Sequence, residues 1–390
     1  MISRFQPSLG LGEIFAALRP GGDSVSQFES AFAAKFGCAE GIAFNYGRTA
    51  LCAFLEAVGL KNRQVVVPAY TCSVVAHAVV LSGNVPHFID CDLNDYNADL
   101  SQLEAAINEQ TGAVVATHLF GYALDQDRLR EIIERAERRL NRKIWVIQDC
   151  AHSFGATWKG RMVTMDGDAA LFGLNISKTL TTVFGGMLLT NSAEIAAKLR
   201  SWRATRTQPA PTTATGYKFA YLLGASIAFR SPWFRLLYWL QHRTNLLKGL
   251  TDAYHLDEQV AFPPDAHQRM AALQARIGLV QLERYDRLIA QRARQAHRWD
   301  ARLAREEPGW IRPPLRDGST YSHYVVRVPD RRLAVEKWAR QGYELGELIQ
   351  YSVAALPAYR NCPGSNHCPN ALHASQFTVN FPVTGAIPYI

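Results

Sequence analysis

Residues 144–191 read IWVIQDCAHSFGATWKGRMVTMDGDAALFGLNISKTLTTVFGGMLLTN. Three short apolar runs stand out in this stretch: IWVIQDCA, DAALFGL and GGMLLTN. Each has the length of a buried strand and is bounded by turn residues. The first closes on Asp149. Between the second and third lies Lys178, the one charge in FGLNISKTLTTVFGG, residues 172–186. An exposed face would carry more charge than this. A lysine set among apolar residues and a Ser/Thr cluster is therefore a candidate for chemistry as well as for solvation.

Outward from this block the same alternation continues. Toward the N-terminus, GIAFN, QVVVPAY, VPHFIDCD and AVVATHLFG read as strands. They are separated by the helical patterns GRTALCAFLEAVGL, SVVAHAVVLSGN, SQLEAAINEQ and the basic run 128–143. Short strands alternating with helices predict an α/β fold with a mostly parallel sheet. Ligands of such sheets bind beyond the carboxyl ends of the strands. Gly47 to Thr49, Tyr70, Thr71, His118, Asp149 and His152 all fall just after strands.

Past Asn191 the pattern changes. AEIAAKLRSWR reads as a helix and TQPAPTTATG as a loop. Residues 217–250 are dense in aromatics and leucine. Their longest uncharged run, Phe219 to Phe229, is shorter than the roughly 20 residues a spanning helix needs. The segment reads as a core or dimer-interface hairpin, or as a peripheral contact at the inner face of a membrane. Met270 to Leu303 reads as one long helix, and SHYVVRVPDRRLAVEKWARQGYELGELI as strand, helix, strand. A chain of 390 residues has room for two domains. The expected division is 1–260, a large unit with the insert at about 217–250, and 261–390, a connecting helix with a small α+β unit.

Composition narrows the classes of function. The net charge of +8 is spread out, and its densest run is interleaved with Glu at helical spacing. No nucleic-acid partner is expected. Seven cysteines without a regular frame, behind a start that lacks an apolar targeting core, suggest reduced thiols and a cytoplasmic setting. CPGSNHCPNALH, residues 362–373, does not have the paired spacing of a zinc knuckle. No metal is expected, and this stretch reads as a loop over the site. His77, His87 and His323 lie in apolar patterns and read as core or interface histidines. His118 can line the substrate side. Asn175 and Ser177 flank the lysine, where either can reach substrate or cap the turn.

A strand-end acid and a lysine that converge in an α/β crevice suggest pyridoxal phosphate. The lysine amine condenses with the aldehyde, and the carboxylate pairs with the pyridine nitrogen. The phosphate needs backbone N–H groups at a helix start, which NYGRTAL provides. The motifs GRTAL, VVVPAYTCSVVAHAVVLSGNVPHFIDCD, THLFG, VIQDCAHSFGATWKGRMV, GDAALFGLNISKTLTTVFGGMLLTN and QRMAALQARIGLVQLERYDRLIAQR resemble the DegT/DnrJ/StrS-type sugar aminotransferases. That resemblance implies fold type I and a homodimer with shared active sites. It implies an amino donor, by family habit glutamate, and a keto sugar as acceptor. Lys178 takes the Schiff-base position, Asp149 the ring-nitrogen position, and His152 the contact with the ring or its phenolic oxygen. Gly47, Arg48 and Thr49 form the phosphate loop. Cys72, Asn175, His267 and Gln268 are further cofactor positions. Tyr70, His118, Phe184 and Arg269 are substrate-side candidates.

Five departures from the family pattern bear on the substrate. Gly173 stands where relatives have a phosphate-binding Ser. Phe184 replaces a Glu, and Cys72 replaces a ring-stacking aromatic. His267 and Gln268 replace an Asn-aromatic pair that faces the partner's cofactor. The aromatic insert is longer than usual. Arg48 is expected to compensate for the lost phosphate ligands through its charged fork. The apolar surroundings suggest an acceptor that is not a standard soluble nucleotide sugar, or one presented at a membrane. Other chemistry on the same fold, or a non-catalytic regulator or scaffold, are the alternatives.

Overall fold

The structure, a computed structural model, describes residues 1–20, 22–229, 233–234 and 260–384. The strands in chain order are β1 (Glu40–Phe44), β2 (Gln64–Pro68), β3 (Val85–Ile89), β4 (Thr111–Thr117) and β5 (Trp145–Asp149). A two-residue hairpin follows, β6 (Thr157–Trp158) and β7 (Arg161–Met162), then β8 (Ala169–Gly173) and β9 (Gly186–Thr190). Seven of them form one sheet in the order β1-β9-β8-β5-β4-β2-β3. β3, β2, β4, β5 and β8 pair in parallel, and β9 runs antiparallel to both β8 and β1. The expected mostly parallel α/β sheet is what forms.

Residues alternate between two apolar faces, the mark of a sheet covered on both sides. Val65, Val67, Ala113, Val115 and Ile147 share a cluster with Leu51 and Phe54 of the helix Gly47–Ala57. Their neighbours Val66, Val114, Ala116 and Val146 pack with Leu103 of Leu100–Ala106 and with Leu129, Ile132 and Ile133 of Gln126–Leu140. Under β8 and β9, Ala170, Phe172, Met187 and Leu189 meet Phe28, Phe32 and Phe36. The basic run is indeed a helix, and its arginines pair at i,i+4 with Glu131 and Glu134.

Four expectations need correction. The run from Met270 breaks at Arg284 into two helices, Ala272–Glu283 and Tyr285–Glu306. There Arg284 donates to the Ser8 carbonyl and pairs with the buried Glu13, while Tyr285 donates to the Phe154 carbonyl at 2.5 Å. TTATG is the start of a helix, Thr212–Ala228, rather than the end of a loop. YELGELI makes only isolated bridges, at Tyr343 and Gly346. The partner of β10 (Tyr324–Arg327) is instead β11 (Thr378–Phe381). The cysteine-histidine stretch is a short turn and then a helix, Pro369–Phe377. Pro363 accepts from the Phe88 amide, and Asp90 accepts from Asn370 and Ala371, so the stretch is bound to edge strand β3.

The small sheet packs under Trp299 and Trp338, whose rings meet both Phe381 and Tyr343. The helix Ala272–Glu283 faces Ser24–Lys35, and Gly278 lies so close to the Phe28 ring that a Cβ there would sit 2.4 Å away. Of the aromatic insert, the stretch 217–229 and residues 233–234 are described. The remainder, 230–232 and 235–250, lies outside the described residues. No helix among the described residues is long and apolar enough to cross a membrane.

Candidate active site

The site forms at the carboxyl edge of the sheet, where the strand topology brings distant residues together. Asp149 ends β5 and is buried; its Oδ1 accepts from the Ala151 amide at 3.1 Å. Burial pushes its carboxyl up, and the Ala151 N–H and Lys178 pull it back. Lys178 sits in the loop after β8. Burial lowers its amine below the ordinary range, and Cys72 and Asp149 oppose that shift. Asp149, Lys178 and Cys72 therefore share one electrostatic neighbourhood. No ion pair joins Asp149 directly to Lys178 among the described residues.

The Ser/Thr cluster around the lysine holds the loop. Ser177 donates to Asn175 Oδ1 from its amide at 3.0 Å and its hydroxyl at 2.7 Å, so Asn175 caps the turn. Thr181 Oγ1 accepts from Val183 N at 2.9 Å and donates to the Leu174 carbonyl. This supports Val183, a β-branched residue held at φ 74°. Gly173 lies under the lysine stem, since a Cβ there would stand 3.4 Å from Lys178 Cε.

The helix Gly47–Ala57 begins at the same edge, and no side chain caps its first turn. Gly47 is packed on Gly173, and Thr49 donates to the Ala266 carbonyl at 3.3 Å. Arg48 donates to the Ala261 carbonyl at 3.2 Å. The second glycine of the pair after Phe184 has a clear reason. A Cβ on Gly186 would fall within 2.4–2.6 Å of the Tyr46–Gly47 peptide. Gly186→Ala is expected to displace that peptide. It should destabilise the fold by about 1–3 kcal/mol and weaken pyridoxal phosphate binding by about tenfold. Urea unfolding and cofactor titration check this, and a variant unchanged in both would contradict it.

His152 follows Asp149 by three residues and stacks on Phe120, at 5.9 Å and 24°. Burial, Lys178 and His323 together hold its imidazole well below the ordinary histidine range, so it is neutral. Its Nδ1 is buried with no hydrogen-bond partner. His323 reads from sequence as a core histidine, yet its ring lies 5.3 Å from that of His152. Only the fold reveals this. Tyr351 has no sequence cue either; its hydroxyl accepts from Ser73 N, beside Cys72.

Other candidates are engaged elsewhere. Tyr70 is fully buried, with its hydroxyl against Thr378 Oγ1 at 3.0 Å. His118 is fully buried, and both ring nitrogens are used, by Gln148 and by the Leu124 amide. Burial lowers it to about 4, with the Gln148 bond opposing, so it too is neutral. Neither has a free polar edge for substrate. Arg269 donates to carbonyls of Ala204 and Thr207. His267 is exposed against Phe262, and Gln268 bridges to Gln208 with its Oε1 buried and unpartnered. Phe184 does border the site: it packs with Tyr46, Tyr217 and Tyr221.

The residues fit pyridoxal phosphate. A buried carboxylate suits a protonated ring nitrogen, an orphaned imidazole nitrogen suits a ring substituent, and an uncapped helix start suits a phosphate. These features define a class: an α/β protein whose strand-end site is suited to pyridoxal phosphate.

Comparison with known proteins places it further. The model of the DegT/DnrJ/EryC1/StrS aminotransferase family matches residues 16–226 and 248–388. The chain belongs to that family. GDP-perosamine synthase of Caulobacter vibrioides is 32% identical over 285 residues, 73% of this chain but only 63% of the synthase. The spore coat polysaccharide biosynthesis protein SpsC of Bacillus subtilis is 28% identical, over 93% of this chain and 85% of that protein. Among solved structures, a putative sugar aminotransferase of Streptococcus pneumoniae in its PLP form superposes with a TM-score of 0.73. The match covers 98% of this chain and 93% of that one; at 21% identity it establishes the fold.

Proposed function

We propose that this chain moves an amino group from an amino acid, glutamate by family habit, to the keto carbon of a sugar. The observation that carries this reading is Lys178, in the loop after β8, sharing one electrostatic neighbourhood with the buried Asp149 that ends β5. The names of its relatives support a sugar acceptor and a role in glycan or secondary-metabolite biosynthesis. When bound, pyridoxal phosphate supplies the aldehyde that takes up the amino group and a ring that spreads negative charge from the donor carbon.

The chain's own residues do the rest. Asp149 would hold the ring nitrogen in its protonated form. The N–H groups of Gly47, Arg48 and Thr49 would bind the phosphate, with Arg48 adding its charge. His152 would contact the ring or its phenolic oxygen. Lys178 Nζ moves the proton at the donor carbon. A lysine does this near neutral pH only when its amine is partly deprotonated, which burial favours here. Phe184, Tyr217 and Tyr221 form an aromatic cluster beside Tyr46, which favours an acceptor carrying an apolar group or lipid link over a bare polar nucleotide.

The proposed assembly is a cytoplasmic homodimer, with His267 and Gln268 turned toward the partner's cofactor and residues 1–260 and 261–390 as large and small units. The test is a two-stage assay. Amino acids are screened for conversion of the loaded enzyme to its amine form, and that form is then challenged with sugar and non-sugar keto acceptors. Discharge by keto sugars supports the reading; discharge by keto acids alone overturns the sugar assignment.

A further inference from the structure

Lys218 is a buried lysine of the site region, 2% exposed, on the first half of the helix Thr212–Ala228. Burying an ammonium is costly unless its protons are used. Here Nζ donates to Asn45 Oδ1 at 2.8 Å and to Gln274 Oε1 at 3.1 Å. An ammonium has donors only, so both amides must turn their oxygens toward it. Together with the Ala271 amide, which also donates to Gln274 Oε1 at 2.9 Å, that sets where their NH₂ groups point. Asn45 Nδ2 donates to Asp265, to its carbonyl at 2.8 Å and its Oδ2 at 3.0 Å. Gln274 Nε2 donates to the Phe184 carbonyl at 2.5 Å. Asp265 Oδ1 in turn accepts from the Tyr46 hydroxyl at 2.6 Å.

One ammonium thus ties together three segments that border the cofactor position. They are the Asn45–Gly47 turn, the 265–266 loop that receives Thr49, and the end of the lysine loop at Phe184. The Tyr46–Gly47 peptide is also in close contact with Gly186. A cradle built from backbone N–H groups works only if its peptides are held in place. We propose that Lys218 is a positioning residue for the cofactor's phosphate, acting through Asn45, Asp265 and Tyr46 on the start of the Gly47 helix. The described part of the aromatic insert then serves the active site. This inference rests on the proposed use of pyridoxal phosphate.

The experiment compares pyridoxal phosphate with pyridoxal, which lacks the phosphate, on wild type and Lys218→Gln, by equilibrium titration of the apoprotein. Lys218→Gln is expected to weaken pyridoxal phosphate by about tenfold or more and to leave pyridoxal within about twofold. Apoprotein melting reports folding. Tyr46→Phe, which deletes one hydroxyl of the same network, should shift the same ratio by about threefold and serves as the deciding variant if Lys218→Gln does not fold. Equal weakening of both ligands, or no weakening in either variant, overturns this inference alone. A wild type that takes up neither ligand overturns it together with the proposed function.

Discussion

Lys178→Ala is expected to abolish amino transfer, lowering kcat by about 10⁴-fold, the upper end of what a positioned proton carrier contributes. The loop itself should survive, because its bonds run through Asn175, Ser177, Thr181 and Thr182 rather than through the lysine side chain. Binding of the cofactor should weaken far less than turnover. A protonated amine cannot accept the donor-carbon proton, so kcat should rise with pH as Lys178 loses its proton. Burial sets the midpoint below the ordinary lysine value of about 10.4. In Lys178→Ala that limb should vanish. Stopped-flow measurement of the donor half-reaction against pH checks both points.

Asp149→Asn is expected to lower kcat by about 10²–10³-fold, the scale of losing one preorganised electrostatic partner. The amide keeps an oxygen for the Ala151 N–H, so the end of β5 should stay folded. What it loses is the negative charge that would keep the ring nitrogen protonated. Steady-state kinetics beside a thermal melt separates the two effects. A variant with unchanged kcat would mean that the carboxylate plays no part in the reaction. Because the same carboxylate opposes the lowering of the lysine amine, Asp149→Asn should also move the Lys178 limb to lower pH.

Much of this arrangement is legible in the sequence, because the sheet is buried on both faces. Its strands appear as mostly apolar runs; Asp149 closes one and Lys178 stands in the loop after another, charges with no obvious solvent face. The parts that are not legible depend on partners distant along the chain. An apolar helical period runs across Arg284 unchanged, and only Glu13 and Phe154 reveal the break. β10 pairs with β11 roughly fifty residues on, so a nearer apolar stretch looks like its partner and is not. His323 carries no local sign that it will meet His152. The doubled glycine is visible, yet the reason for Gly186 is the Tyr46–Gly47 peptide that follows β1. Lys218 shows the same cue as Lys178, a lone lysine in an apolar run, but inside an aromatic segment that suggests a membrane surface.

The whole mechanism turns on Lys178, and no other lysine, forming the covalent link to the cofactor. Borohydride reduction of the loaded protein, followed by peptide mapping, settles the point. A single pyridoxyl adduct on Lys178 is expected. An adduct on Lys218 instead, or none at all on a protein that has taken up the cofactor, would contradict the assignment.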